Sequence, residues 1–220
     1  MLNAECWLPL ISEISGKIFF DFANCYLPIA ICFLMLLKIV QTGDPVLREA
    51  ARPLSIEELA GREVCELIQA MKETMRDAPG VGLAAPQVGY ALQLAMIEDR
   101  EEYHKDVPPE VLRERERKPV PFHVIVNPRI TLIGEPDVEF FEGCLSVSGF
   151  MASVPRARAV RVECLDEEGR TRVIEARGWY ARILQHEIDH LRGTLYLDRM
   201  NTRTFTTLEN FKKKQMANSR

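Results

Sequence analysis

The stretch "ILQHEIDHLRG" at 183–193 holds His186 and His190 four residues apart, with Glu187 directly after the first. On a helix, residues i and i+4 share a face, so both imidazoles can reach one ion. Glu187 stands one step round, where a carboxylate can act as general base toward water. Ile183, Leu184, Ile188 and Leu191 make the same helix apolar. Burying two histidines and a glutamate there is costly unless they serve a purpose. Chance occurrence of HExxH on an ordinary amphipathic helix is the competing explanation.

Two imidazoles alone do not hold a catalytic metal, so a third ligand is required. One kind of zinc endopeptidase takes a Glu from a second helix downstream; another extends the motif to HExxHxxGxxH. Gly193 falls at the glycine of that longer motif, but no histidine follows it, and the downstream acids are Asp198 and Glu209. Upstream, "FFEGCLSVSGF" sets Cys144 between two glycine-containing turns. A thiolate with two imidazoles would leave one open tetrahedral position for water. On the residues alone, Cys144 as a buried small hydrophobe stays open.

These groups need a scaffold. The 220 residues suffice for one well-cored domain, with 47% hydrophobic and 27% charged residues. A formal charge of −4 offers no nucleic-acid footprint. Cys6, Cys25, Cys32, Cys65, Cys144 and Cys164 are scattered without a CxxC pair, against a zinc ribbon or a disulfide framework. From Ile18 to Leu37 the run "IFFDFANCYLPIAICFLMLL" is nearly unbroken apolar sequence between Lys17 and Lys38. Residues 1–37 thus read as an atypical extension, either a membrane or targeting segment or a doubtful gene start. They contain no Arg and do not resemble a transit peptide.

Beyond the extension, "LKIV" suggests a short strand before a Gly-Asp-Pro turn. "SIEELAGREVCELIQAMKETMRDAPG" reads as helix: Ser55 and Glu58 form a capping box, and Val64, Leu67, Ile68, Met71 and Met75 form one stripe. "GVGLAAPQVGY" is Gly-rich without the Lys-Ser/Thr of a phosphate loop, and "LQLAMIE" reads as a buried strand. Residues 99–121 read as a charged, solvated insertion with a short helix near 109–117. His104 and His123 at its edges read as surface or structural. Strands follow in "FHVIVNPRITLIG", "VEFFEG" and "AVRVECLDEEGRTRVIEARG", the last a hairpin turning at Asp166–Gly169. A helix ending at Gly193, then a short strand or extended exit in "TLYLDRM" and a polar, basic tail at 206–220, complete the chain. Without βαβ alternation, this order predicts an α+β fold of mostly antiparallel sheets packed around the HExxH helix.

"GVGLAAPQ", "EGCLS" and "QHEIDH" resemble, in order, the three signature motifs of peptide deformylases, and the likeness runs over roughly residues 38–205. "GFMASVPRA" and "GWYARILQHEIDHLRGTLYLDRM" followed by "RTF" are similar to the eukaryotic mitochondrial-type subgroup. The resemblance implies removal of formyl from the N-formylmethionine of new polypeptides, with release of formate. It implies Cys144, His186 and His190 as metal ligands, Glu187 as the proton-handling group, and the Gln87 side chain with the Leu145 backbone N–H as oxyanion donors. Gly80, Val81 and Gly82 would lie along the peptide, Phe140 and Ile183 would line the methionine pocket, and Glu142 would pair with Arg156 behind the cysteine.

The metal expected is one divalent ion, Fe2+ or Zn2+, for which Co2+ can substitute. Partners expected are formylmethionyl nascent chains, with an organellar ribosome and a membrane contact through 18–37 as further candidates, and the location expected is mitochondrial. Two rival readings remain on the residues: an HExxH zinc endopeptidase, and a non-catalytic module with a structural metal.

Overall fold

The computed structural model describes residues 36–218. Residues 1–35, and with them nearly all of the apolar run, lie outside the described residues. Among those described, no helix is long and apolar enough to cross a membrane.

The chain enters along 36–41 without regular structure, turns at Thr42–Gly43, and passes through a 3-10 segment, Pro45–Arg48. The strand expected at "LKIV" does not form: Val40 N–H donates to Gln87 O and Thr42 N–H to Ser146 O, tying this segment to two loops instead of a sheet. Next come α1 (Ile56–Leu59) and α2 (Arg62–Asp77). The capping box is present, with Ser55 Oγ accepting from Glu58 N–H and the Glu58 carboxylate accepting from Ser55 N–H. The single expected helix is interrupted at Gly61, whose extended backbone restarts the direction of α2. The α2 stripe buries Val64, Leu67, Met71 and Met75.

The strands and helices that follow are β1 (Gly82–Ala84), β2 (Leu94–Asp99), α3 (Pro109–Glu114), β3 (Val120–Ile133), β4 (Val138–Cys144), β5 (Val147–Arg156), β6 (Ala159–Leu165), β7 (Thr171–Arg177), α4 (Gly178–Leu191), β8 (Thr206–Thr207) and α5 (Leu208–Asn218). Two antiparallel sheets result, one in the order β1-β2-β3-β6-β7 and one in the order β4-β5-β8. This is a mixed helix and antiparallel-sheet fold, as the element pattern predicted. The expected exit strand in "TLYLDRM" is instead a 3-10 turn, Tyr196–Asp198. Its cap is local: the Asp198 carboxylate accepts from Leu195 N–H at 2.7 Å, which curls the chain before a strand can extend.

One core lies between the larger sheet and α4, where Ala181, Ile183, Leu184, Ile188 and Leu191 meet Ile97, Ile125, Val160 and Ile174. A second lies between α2 and the other face of β1–β3. From Ala181 to Leu191 every residue of α4 but His186 is buried, the polar Arg182, Gln185, Glu187, Asp189 and His190 among them.

Residues 99–121 are mostly exposed or half-exposed, yet buried contacts anchor the segment. Asp99 is wholly buried and receives a bidentate Arg117, at 2.7 and 2.8 Å. His104 Nε2 lies 3.1 Å from Asp99 Oδ1, within ion-pair reach though off hydrogen-bond geometry. Trp179 N–H, in the first turn of α4, donates to Arg115 O at 2.8 Å. Buried charge pairing holds this segment down despite its composition.

Candidate metal centre

Cys144 ends β4 at the turn into β5, and side chains of α4 reach that hairpin through Arg182, which donates to Val154 O and Val138 O, and through His186, which meets Glu142. One ligand atom each from Cys144, His186 and His190 lies within 4.8 Å of the others. Cys144 Sγ is 3.3 Å from His190 Nε2, and the two imidazole centroids are 5.0 Å apart. His186 Nδ1 is 3.0 Å from Glu142 Oε2, which accepts the hydrogen bond of its Nδ1–H and leaves Nε2 as the metal-binding nitrogen. A sulfur and two imidazole nitrogens are the donor set of a zinc or iron(II) site. Burial pushes His190 well below its ordinary pKa, favouring the neutral ring a ligand needs. At His186 burial acts the same way, but Cys144 and Glu142 outweigh it and raise the pKa; a cation among these atoms would compete with that proton.

Glu187 lies beside this triangle and is 4% exposed, with Oε2 buried and lacking a hydrogen-bond partner among the described residues. Burial pushes its carboxyl up to about 7, with Glu142 adding and the charges of His186 and Arg156 opposing. An orphaned acid at a sulfur–nitrogen–nitrogen donor set fits a bound cation with water beside it, so these residues suit the metal they were expected to hold.

Gln87 comes from the 3-10 turn Ala85–Val88. Its Oε1 accepts from Ala84 N–H at 2.9 Å, which aims Nε2 at Cys144 Sγ (3.5 Å) and Ser146 Oγ (3.4 Å). The contact to Ser146 is long for an N–H···O bond, so one N–H of Gln87 remains able to serve another oxygen. Leu145 lines the same cavity, as do Gly80, Val81, Gly82, Ile183 and Glu187. The cavity encloses about 420 Å³. A Cβ on Gly82 would lie 2.3 Å from Glu187 Oε1, so glycine is required for the acid to stand where it does.

Phe140 does not border this cavity. Its ring lies near the guanidiniums of Arg115 (5.4 Å) and Arg182 (5.2 Å) and closes a smaller neighbouring hollow. Strand alternation sends the adjacent Phe141 elsewhere, against Phe211 of α5, and Phe141 borders the cavity.

Behind the cysteine, Arg156 donates to both oxygens of Glu142 at 3.0 Å, as the resemblance implied. Three further members were not foreseen. Arg182 Nη1 donates to Glu142 Oε1 at 2.6 Å, Arg156 Nη1 donates to Asp189, and Arg199 grips Asp189 at 2.7 and 2.9 Å. Burial alone would raise the Glu142 carboxyl; Arg156 and the His186 hydrogen bond outweigh it and hold it far below the usual range. Arg182 and Asp189 sit inside an apolar helix pattern, and that misfit was the available signal for both.

The polypeptide deformylase family model matches residues 36–205. The chain is 47% identical over 172 residues to peptide deformylase 1A, chloroplastic, of Solanum lycopersicum, covering 78% of this chain and 62% of that one. Against the mitochondrial peptide deformylase of Homo sapiens it is 44% identical over 170 residues, covering 77% and 70%. A peptide deformylase from Synechococcus elongatus in complex with actinonin superposes with TM-score 0.62 at 38% identity, covering 75% and 79%. A Met-Ala-Ser-bound class I type b peptide deformylase from Acinetobacter baumannii gives TM-score 0.66 at 32% identity, covering 75% and 98%. The chain spans less than two thirds of the tomato relative and of the Arabidopsis thaliana relative, 62% and 64% of their lengths.

Proposed function

The chain belongs to the polypeptide deformylase family, and from that premise we propose that it hydrolyses the N-formyl group of formylmethionyl polypeptides. The observation that carries the reading is Glu187, a buried acid without a partner beside Cys144, His186 and His190. Those three residues would hold one divalent ion, Fe2+ or Zn2+, which when bound supplies Lewis acidity toward water and the formyl carbonyl.

Glu187 takes the proton of the attacking water. The water oxygen bonds to the formyl carbon, and the carbon–nitrogen bond breaks. The same carboxyl then returns its proton to the departing nitrogen, so the products are formate and a free amine. Its pKa near 7 suits a group that must both accept and donate. Gln87 Nε2, fixed by the Ala84 bond, donates to the carbonyl oxygen as charge gathers there, with the Leu145 N–H as second donor.

Strand β1 is an edge of its sheet, so the Gly82 backbone can pair with an extended peptide, and Gly80 and Val81, which lead into β1 and border the cavity, lie along the same path. Ile183 and Leu145 offer apolar surface for the methionine side chain; Phe140, off the cavity, drops out of that role. The Met-Ala-Ser peptide held by the Acinetobacter relative supports this substrate class.

The domain proposed is 38–205. The mitochondrial location is also part of the proposal: relatives named for mitochondrion and for chloroplast support an organelle, and import into isolated chloroplasts but not mitochondria would refute the choice. The activity is tested by formate release from formyl-Met-Ala-Ser by anaerobically metal-loaded protein. Glu187→Ala should keep stoichiometric metal and lose at least about a hundredfold in kcat. Cys144→Ala should lose metal on dialysis. Full metal in the latter, or wild-type turnover in the former, overturns the assignment.

A further inference from the structure

Gln41 lies upstream of all three motifs, yet its side chain is bonded to the turn that carries Cys144. Its Nε2 donates to Leu145 O at 3.0 Å, and its Oε1 accepts from Ser148 N–H at 3.1 Å. One amide thus spans the turn between β4 and β5. The backbone on either side adds to the grip: Thr42 N–H donates to Ser146 O at 2.7 Å, and Val40 N–H donates to Gln87 O at 2.9 Å. Three consecutive residues of the entry segment therefore hold both the cysteine turn and the Gln87 loop.

The backbone of Gln41 is itself fixed. Asp44 N–H donates to Gln41 O at 3.0 Å, closing a turn over 41–44 in which Gly43 has φ +105°. Residues with a side chain rarely adopt that φ, so glycine sets the turn. Leu47, three residues after Asp44, is 1% exposed and anchors the far end of the segment in the core.

The link to the metal site is one peptide plane. Leu145 C=O and Ser146 N–H belong to the same planar trans unit and point in opposite directions. Gln41 holds the oxygen, and the N–H donates to Cys144 Sγ at 3.4 Å. A hydrogen bond at the oxygen polarises the unit and strengthens its N–H as a donor. Ser146 is wholly buried, with its Oγ 3.4 Å from Gln87 Nε2, so the plane has little room to rotate. An N–H bonded to a ligand sulfur draws charge from it and so tunes the metal. We propose that Gln41 is a positioning residue of the metal centre: through the Leu145–Ser146 peptide it keeps the Ser146 N–H on the Cys144 sulfur and lowers the charge that this ligand presents to the ion. The same clamp steadies the turn whose Leu145 N–H is the second oxyanion donor proposed above. This rests on Cys144 being a ligand, as the deformylase reading has it.

The test uses the full chain loaded with Co2+, whose bond to a thiolate gives a sulfur-to-cobalt charge-transfer band in the near ultraviolet. Gln41→Ala should move that band to longer wavelength, because a sulfur relieved of its N–H bond gives up an electron more easily. On formyl-Met-Ala-Ser, kcat should fall about tenfold with KM nearly unchanged. Gln41→Glu keeps an acceptor for Ser148 N–H but sets a carboxylate against Leu145 O, and it should shift the band at least as far. Gln41 is exposed, so both variants should fold, and their unfolding midpoints check this. An unmoved band in both variants overturns the proposal even if kcat falls, since that loss alone marks only a loosened turn. A band that moves in Gln41→Ala and not in Gln41→Glu also overturns it, because the Ser148 bond would then be the one that matters. Wild-type protein that binds Co2+ without the band removes Cys144 from the ligand set, and the proposal fails with it. A wild type that shows the band and the shift but releases no formate overturns the deformylase reading and leaves the role of Gln41 standing.

Discussion

Gly82→Ala isolates the position of Glu187 from its chemistry. The new Cβ would lie 2.3 Å from Glu187 Oε1, 2.6 Å from Cδ and 2.8 Å from Cγ. Ordinary contact is about 3.5 Å or more between carbons, so the carboxylate must retreat by roughly 1 Å. It has somewhere to go, because the cavity lies on one side of it. Gly82 has no positive φ, so alanine adds little backbone strain and the fold should survive. A displacement of about 1 Å at a reacting group can cost about a hundredfold, equivalent to about 2.7 kcal/mol of transition-state stabilisation. Formate release should therefore fall by about that factor in kcat/KM, with metal content unchanged. The cause is separable by a double-mutant cycle with Glu187→Gln: once the acid is gone, adding Gly82→Ala should cost little more. Wild-type activity in Gly82→Ala, or a full hundredfold loss on top of Glu187→Gln, would refute the reasoning.

Two predictions concern stability. Arg156→Met leaves Glu142 and Asp189 buried with one guanidinium fewer, at a cost of about 3–5 kcal/mol, and denaturant unfolding of the metal-loaded protein should show it. An unchanged unfolding midpoint would mean that Arg182 and Arg199 suffice for the two acids. His123 is held neutral by burial, its Nδ1–H donating to Pro121 O at 2.8 Å and its Nε2 accepting from Tyr180 at 3.0 Å. Because its folded pKa lies below the unfolded value of about 6.5, its contribution is complete above that pH. It is lost as pH falls from there toward the folded pKa. His123→Gln should flatten this slope, which for one proton is at most about 1.4 kcal/mol per pH unit, and parallel wild-type and variant curves would exclude it.

The parts legible in the sequence are those written at short range. The i, i+4 histidines, the Ser55/Glu58 capping box, the α2 stripe and the β6–β7 hairpin each depend on residues within a turn or two of one another. Local periodicity is enough to specify them. The identity of Cys144 as the third donor came from motif resemblance, since nothing in residues 144–190 counts the distance between a hairpin and a helix.

The remainder was decided by packing. Whether Phe140 or Phe141 meets the cavity depends on the register of β4 against β5. One residue of slip exchanges the two faces of a strand, and composition is blind to that choice. Residues 99–121 look soluble by charge count, yet Asp99 and Arg117 bury each other and Gly178 clears room for the segment on α4. Gly82 shows the same division most plainly. Its sequence neighbourhood announces a close approach, and only the three-dimensional structure reveals that the group approaching is the carboxylate of Glu187, 105 residues away along the chain and 2.3 Å from where a side chain would begin.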